Sequence, residues 1–222
     1  ELIVLDEIIV TAGYTDSNIN STGASVSVLG QQELQYTNSG IVSAFESIPG
    51  VSMDTNGGLG GVAGISVRGL KQKYINVRID GMDVTDPSQP QNSYDFGGLT
   101  GIGLGQVEFI KGSQSAVFGS EAVGGVINLK TLSSDQEGSR GVITSEAGSN
   151  ETYSVGLTYE SVGEEGSAAI TLSRLQTEGF SAKKTGNGAN ENDPYSGNLI
   201  RIAIERAINK NLKLNFSGLS SS

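Results

Sequence analysis

Hydrophobic and polar positions follow two different rhythms that meet near residues 136–139. Before that junction, short apolar runs at 25–29, 51–54, 65–67, 75–79, 107–110 and 126–129 lie between clusters of Gly, Asn, Asp and Ser, and they read as strands. One stretch has helical spacing instead. Within 40–47, Ile41, Ala44 and Phe45 share a face with Ile48; Asn38 or Ser39 can cap its start and Pro49-Gly50 stops it. This half is predicted as a small α+β domain with one modest core.

From residue 141 onward the rhythm lengthens to alternating runs of about ten residues separated by turns. Tyr153, Val155, Leu157 and Tyr159 point one way, while Thr152, Ser154, Gly156, Thr158 and Glu160 point the other. Ala168, Ile170 and Leu172 likewise oppose Ala169, Thr171 and Ser173. Further along, Ile200, Ile202 and Ile204 oppose Arg201, Ala203 and Glu205, and Leu212, Leu214 and Phe216 oppose Lys213, Asn215 and Ser217. With 142–147 this makes five predicted antiparallel strands, each long enough to cross a bilayer at a tilt. The same alternation fits an ordinary sheet with one wet face, and periodicity alone leaves both readings open. The polar stretch 181–196, carrying Lys183, Lys184, Glu191 and Asp193, is too long for a tight hairpin and suits an external loop.

Composition narrows the chemistry. The 222 residues include 32 Gly and 4 Pro, a ratio that points to tight turns and close backbone approaches more than to a disordered linker. Cys, Trp and His are absent, which excludes disulfides, Cys or His metal sites and catalysis by thiolate or imidazole. A formal net charge of -10 argues against a nucleic-acid partner, because phosphate binding needs clustered cations. No run approaches the length of a spanning helix, but alternating barrel strands escape a hydropathy scan. The N-terminus has no charged n-region or cleavage site, so an export signal is expected to have been removed or not to be included.

Several motifs stand out. Asp6, Glu7, Ile8, Ile9, Val10, Thr11 and Ala12 form a β-prone run that Gly13 and the polar tract 15–22 detach from the rest of the chain. Such a run can add a strand to another protein's sheet, although an edge strand of the same domain is the commoner outcome. Ile65-Ser66-Val67-Arg68-Gly69 and Ile79-Asp80-Gly81 each place a charge and a Gly at a sharp reversal, which plain turn chemistry also explains. The run 106–130 reads strand, Gly-rich crossover, strand.

In this order, these residues resemble the TonB-dependent receptors. Residues 6–12 look like the family's TonB box, and Ser47-Ile48-Pro49-Gly50-Val51 looks like its helix stop. Val67-Arg68-Gly69, Ile79-Asp80-Gly81 and the run from Val107-Glu108 to Gly124-Gly125-Val126-Ile127-Asn128 complete the series. The resemblance implies an N-terminal segment at 1–13, an α+β plug domain at 14–136 and, at 137–222, the first antiparallel β-strands of an incomplete transmembrane β-barrel. The family's closed barrel has about 22 strands, so five predicted strands mark the chain as a fragment.

What the family does is then expected here: import of a scarce nutrient, cobalamin or a ferric siderophore, across the bacterial outer membrane, with the plug as the gate and no enzymatic step. The expected partners are the TonB C-terminal domain by strand addition, outer-membrane lipid and a small-molecule nutrient. The family's plug–barrel lock falls on Arg68, Glu108 and Lys111, where Lys111 departs from a commoner Arg and offers a point charge in place of a fork. Two outward loops of the plug supply the expected ligand contacts: Asn56, Gly57, Gly58 and Leu59 in one, Gln89, Gln91, Asn92 and Tyr94 in the other. Their uncharged, amide-rich character suits a large neutral ligand, and the surroundings of Asn56 and of residues 179–181 and 192–193 are similar to vitamin B12 receptors.

No metal site is assigned. Asp86, Asp95, Glu191 and Asp193 have oxygen ligands suited to Ca²⁺ in external loops, but solvated loop carboxylates are the commoner explanation. Gly58-Leu59-Gly60-Gly61-Val62-Ala63 formally fits a dinucleotide fingerprint, yet a strand and a turn follow it where a helix is needed. A passive porin or surface adhesin needs neither a TonB box nor a plug, so the first 130 residues decide against it.

Overall fold

The computed structural model describes residues 9–10, 17–18, 23–35, 41–86, 88, 93–131, 137–181, 192–209 and 212–221. Strands β1 (Ile9–Val10) and β2 (Ser17–Asn18) pair antiparallel, with Ile9 opposite Asn18. After them come β3 (Ser25–Gly30), α1 (Gln31–Gln35), α2 (Ile41–Glu46), β4 (Val51–Thr55), β5 (Ala63–Val67) and β6 (Leu70–Lys71). A 3-10 turn, Gln72–Tyr74, leads into β7 (Ile75–Ile79), β8 (Met82–Asp83), β9 (Gln106–Lys111), α3 (Ser115–Phe118) and β10 (Gly125–Lys130).

These elements form a mixed sheet of order β3-β9-β10-β7-β8 beside a small antiparallel sheet β4-β5-β6. Among these described strands only β10 and β7 run parallel, with Ile127 opposite Val77. The Gly-rich crossover predicted at 112–124 carries the short α3 and returns the chain antiparallel to β9. Alternate residues of β4 and β5 are buried, whereas β9 and β10 are buried along nearly their whole length because both faces are covered. The core gathers around Phe45, whose ring meets Phe96 and Phe109 edge-on at centroid distances of 5.4 and 4.9 Å. Helix α2 supplies Ile41, Ala44 and Phe45, the predicted face, and Gly50 at φ 80 turns the chain into β4. Arg68 at φ 50 with Gly69 at φ 80, and Asp80 at φ 48 with Gly81 at φ 81, make two-residue hairpin turns between β5 and β6 and between β7 and β8.

The second layer is a five-stranded meander: β11 (Gly138–Gly148), β12 (Thr152–Gly163), β13 (Gly166–Thr177), β14 (Tyr195–Asn209) and β15 (Leu212–Ser221). All its pairings are antiparallel, and the sheet is open, with β11 and β15 at its edges. Burial resolves the choice that periodicity left open. The large apolar set Tyr153, Val155, Leu157, Tyr159, Ile170, Leu172, Ile200 and Ile204 is exposed, while the opposite face buries Ser154, Glu160, Thr171, Thr177 and Arg201, with Ala169, Leu175 and Ala203 among them. A half-wet sheet in water would do the reverse. Apolar side chains outward and polar ones inward, on strands of 10 to 15 residues, are the pattern of a membrane-spanning barrel wall. No helix among the described residues is long and apolar enough to cross a membrane.

The external loop predicted at 181–196 lies between 182 and 191 outside the described residues. Its flanks fix the orientation of the wall. Residues 178–181 after β13 and the short 149–151 turn share one end, joined by the Glu178 N–H donating to the Asn150 carbonyl at 2.9 Å. The tight connection Glu164-Glu165 lies at the other end. Long loops face outward and short turns face the periplasm in such walls.

Candidate functional site

The seam between the globular layer and the wall is built from glycines. A Cβ on Gly58 would stand 3.0 Å from the Phe180 ring, and one on Gly60 would overlap the Tyr195 ring. The Tyr195 hydroxyl fills the space a Cβ on Gly98 would need. Lower down, Gly103 leaves room for Thr171 and Gly156 of β12 leaves room for Ile102. Each of these glycines lets side chain meet backbone at a distance no other residue allows.

One buried cation completes the seam. Arg201 of β14 is only 1% exposed, and its Nη1 donates to the Ile102 carbonyl at 2.9 Å. Its Nε and Nη2 have no hydrogen-bond partner. On the same rung of the wall, Arg201 is paired to Thr171 and Thr171 to Thr158, whose hydroxyls are 3.1 Å apart.

A cavity of about 330 Å³ follows the seam. Gly58, Leu59, Ser149, Asn150 and Phe180 line its outer end, and Thr131, Arg140 and Glu160 its inner end. Between them the wall presents Thr144, Ser154 and Thr158. Arg140 Nη2 and Glu160 Oε2 form a cross-strand ion pair at 2.7 Å beside the inner end. The lining sets these polar groups among apolar side chains, Leu34, Leu59, Ile102, Leu104, Leu175 and Phe180, and so can both hydrogen-bond and pack against a solute.

The predicted ligand residues divide. Asn56, Gly57, Gly58 and Leu59 lie in the turn between β4 and β5, and Gly58 and Leu59 reach the outer end of the cavity. Tyr94 is half-buried beside the core, its ring 4.9 Å from that of Phe96, and burial pushes its hydroxyl above the ordinary tyrosine range. Gln89, Gln91 and Asn92 lie outside the described residues. Of the acidic candidates, Asp95 Oδ1 accepts from the Ala63 and Gly97 backbone N–H groups, both at 2.9 Å, and Asp86 Oδ1 accepts from the Ser88 N–H at 2.8 Å. Asp193 is exposed and Glu191 lies outside the described residues; no three acidic groups converge among those described.

The three residues expected to lock plug to barrel have their bonding partners inside the first layer. Arg68 Nη2 donates to Ser25 Oγ at 2.9 Å. Lys111 Nζ donates to the Pro49 carbonyl at 2.9 Å, and burial, aided by the charge of Arg68, holds its ammonium below the ordinary lysine range. Fully buried Glu108 accepts from Gln106 and Asn128 and forms an ion pair with Lys130 at 2.8 Å. Of the residues expected to form a TonB box, Ile9 and Val10 form β1, and Asp6, Glu7, Ile8, Thr11 and Ala12 lie outside the described residues.

Sequence reasoning did not single out Ile102, Thr171, Tyr195 or Arg201. Arg201 had one available signal: it is the sole charge facing inward at the middle of its strand, where its row neighbours are small or aliphatic.

Residues 18–126 match the family described as TonB-dependent Receptor Plug Domain. The Vitamin B12 transporter BtuB of Photobacterium profundum is 32% identical over 181 residues, covering 81% of this chain and 29% of that protein. Among solved structures, the siderophore receptor PiuA from Acinetobacter baumannii superposes with a TM-score of 0.66 at 22% identity, covering 98% of this chain and 28% of its own. The pyoverdine outer membrane receptor FpvA from Pseudomonas aeruginosa PAO1 gives a TM-score of 0.71 at 15% identity, covering 96% and 30%. The chain thus spans under a third of the length of these proteins.

Proposed function

The chain carries the plug domain of the TonB-dependent receptors, and on that premise we propose that the full-length receptor imports cobalamin across the outer membrane. The observation that carries this reading is the inverted sheet: bilayer-length strands turn their apolar side chains outward and pack a polar inner face on a globular plug. A passive pore has no use for such a stopper, and a gated one requires it. The similarity to a vitamin B12 transporter favours cobalamin over a ferric siderophore, as does an outer cavity mouth of Glu146, Gly58, Leu59, Ser149, Asn150 and Phe180 that offers no cation to an anionic ferric chelate.

In this reading, residues 1–13 are the coupling segment, 14–136 the gate and 137–222 the beginning of the wall. Asp6, Glu7, Ile8, Ile9, Val10, Thr11 and Ala12 pair with the TonB C-terminal domain by strand addition once ligand occupies the outer mouth. The outer membrane offers no ATP, so work reaches the gate mechanically through that strand. The protein changes no covalent bond of its cargo and acts as a transporter, not an enzyme. Arg68, Glu108 and Lys111 brace the plug, and Asn56, Gly57, Gly58, Leu59, Gln89, Gln91, Asn92 and Tyr94 form its ligand floor.

Titrating the full-length receptor with cobalamin, and separately with ferric siderophores, tests the cargo; saturable binding of a ferric siderophore without cobalamin binding reassigns it. Coupling is tested with a peptide of residues 1–13 and purified TonB C-terminal domain. Binding that is absent, or indifferent to Ile9→Pro, rules out the TonB box.

A further inference from the structure

The 100–104 loop of the plug is the only plug segment that both lines the cavity and is tied to the wall by a buried charge among the described residues. We propose that Arg201 is the wall-side catch of the gate: it holds this loop against β14, and release of the loop is the movement that widens the slit along β11–β13.

The contacts fit a catch better than a weld. At this joint the Thr171 side chain rests on the Gly103 backbone and the Ile102 side chain on the Gly156 backbone, and the hydrogen bond that crosses it runs from Arg201 to the Ile102 carbonyl. A guanidinium buried with two of its three nitrogens unbonded keeps much of its desolvation cost. Asp80 and Tyr94 act on it only through their fields. The closed position is therefore held by a contact that can be lost without forfeiting a strong ion pair, and opening returns the cation to polar solvent.

The loop is also placed to feel a pull on the N-terminal segment. Strand β3 pairs with β9, and the last rung of that pairing, Gly30 opposite Gln106, lies two residues beyond the loop. Helix α1 follows β3 directly, and its Leu34 carbonyl sits where a Cβ on Gly101 would be. Displacing β3 and α1 therefore strips support from both ends of the loop; the Gly105 N–H bond to the Lys130 carbonyl and the buried Leu104 still hold it to the plug, and the Arg201 bond is what holds it to the wall.

This inference rests on the gated-import reading, but its test separates the two. A Cβ on Gly156 would lie 3.5 Å from the Ile102 Cβ, within the span of a disulfide. In the full-length receptor, Arg201→Ala should raise KCl conductance across planar lipid bilayers several-fold over wild type, with Arg201→Lys in between. Adding the oxidised pair Ile102→Cys and Gly156→Cys to the Arg201→Ala protein should close that leak. The same crosslink with Arg201 intact should leave cobalamin binding unchanged and stop uptake until it is reduced. An Arg201→Ala receptor as tight as wild type, or a crosslinked receptor that imports at the uncrosslinked rate, overturns the catch. If Arg201→Ala fails to fold, the crosslink decides alone. Cobalamin uptake that persists without TonB contradicts the proposed function and leaves the conductance result standing; if cobalamin does not bind, the conductance and leak-closure measurements decide.

Discussion

Two residues show how narrowly the seam is tuned. Gly60 combines a left-handed backbone, φ 80, with the Tyr195 ring where its side chain would be. Gly60→Ala should therefore cost about 1–2 kcal/mol from backbone alone, with the ring overlap added to it. Tyr195→Ala in the same protein should recover the overlap and not the backbone term, a difference that a double-mutant cycle on thermal unfolding measures. Lys111 carries a pH dependence of definite sign. Its folded pKa lies below the ordinary value of 10.5, so the fold disfavours its charged form. The destabilisation is complete below the folded pKa and fades as pH rises through the window between that value and 10.5, where the unfolded chain holds the extra proton. Urea unfolding of the plug should thus gain stability with pH across that window in the wild type, and Lys111→Met should flatten the rise.

Among the elements, the alternation of β12 to β15 was legible from sequence because a period of two is visible whichever face is buried. The direction of that burial was not legible, since a wet-faced sheet and a membrane wall share the period. Contact with the plug decides it. The core strands and α2 were legible for the opposite reason: short apolar runs between turn residues leave little choice of face. The glycine run near Gly58 and Gly60 was harder to interpret, because the rings that need the space, Phe180 and Tyr195, stand more than a hundred residues away in the chain. A wall facing lipid makes a prediction that a wet sheet does not. Leu157→Arg, central on the exposed apolar face of β12, should cost about 2–4 kcal/mol when the full-length receptor folds into lipid vesicles. Thr144→Lys faces the polar cavity from β11 and should cost far less. Equal costs would mean that the exposed face does not meet hydrocarbon.

At the scale of the molecule, two layers are stabilised by different means. The plug has its own buried cluster around Phe45, Phe96 and Phe109, while the wall is held by interstrand pairing and by lipid on its outer face. The joint between them is made of glycine approaches that seat Phe180, Tyr195, Thr171 and Ile102, with a single buried cation, and Leu219 is the wall side chain among the described residues that packs on the plug's hydrophobic cluster. These contacts set side chains on facing backbone, and apart from Leu219 the two layers share no common hydrophobic cluster among the described residues, so loosening one should leave much of the other's stability in place. Denaturant should therefore act in two steps on the full-length receptor in lipid. Amide exchange should accelerate first in β9 and β10, as the aqueous plug core gives way, while β12 and β13 keep their protection, because lipid denies the wall's amides any other partner. The 100–104 loop should exchange faster than either at all denaturant concentrations, since it belongs to no strand and a single side-chain bond ties it to the wall. One concerted transition across all three regions would show that the joint transmits far more energy than its contacts suggest, and a gate that must move within a standing wall could not be built that way.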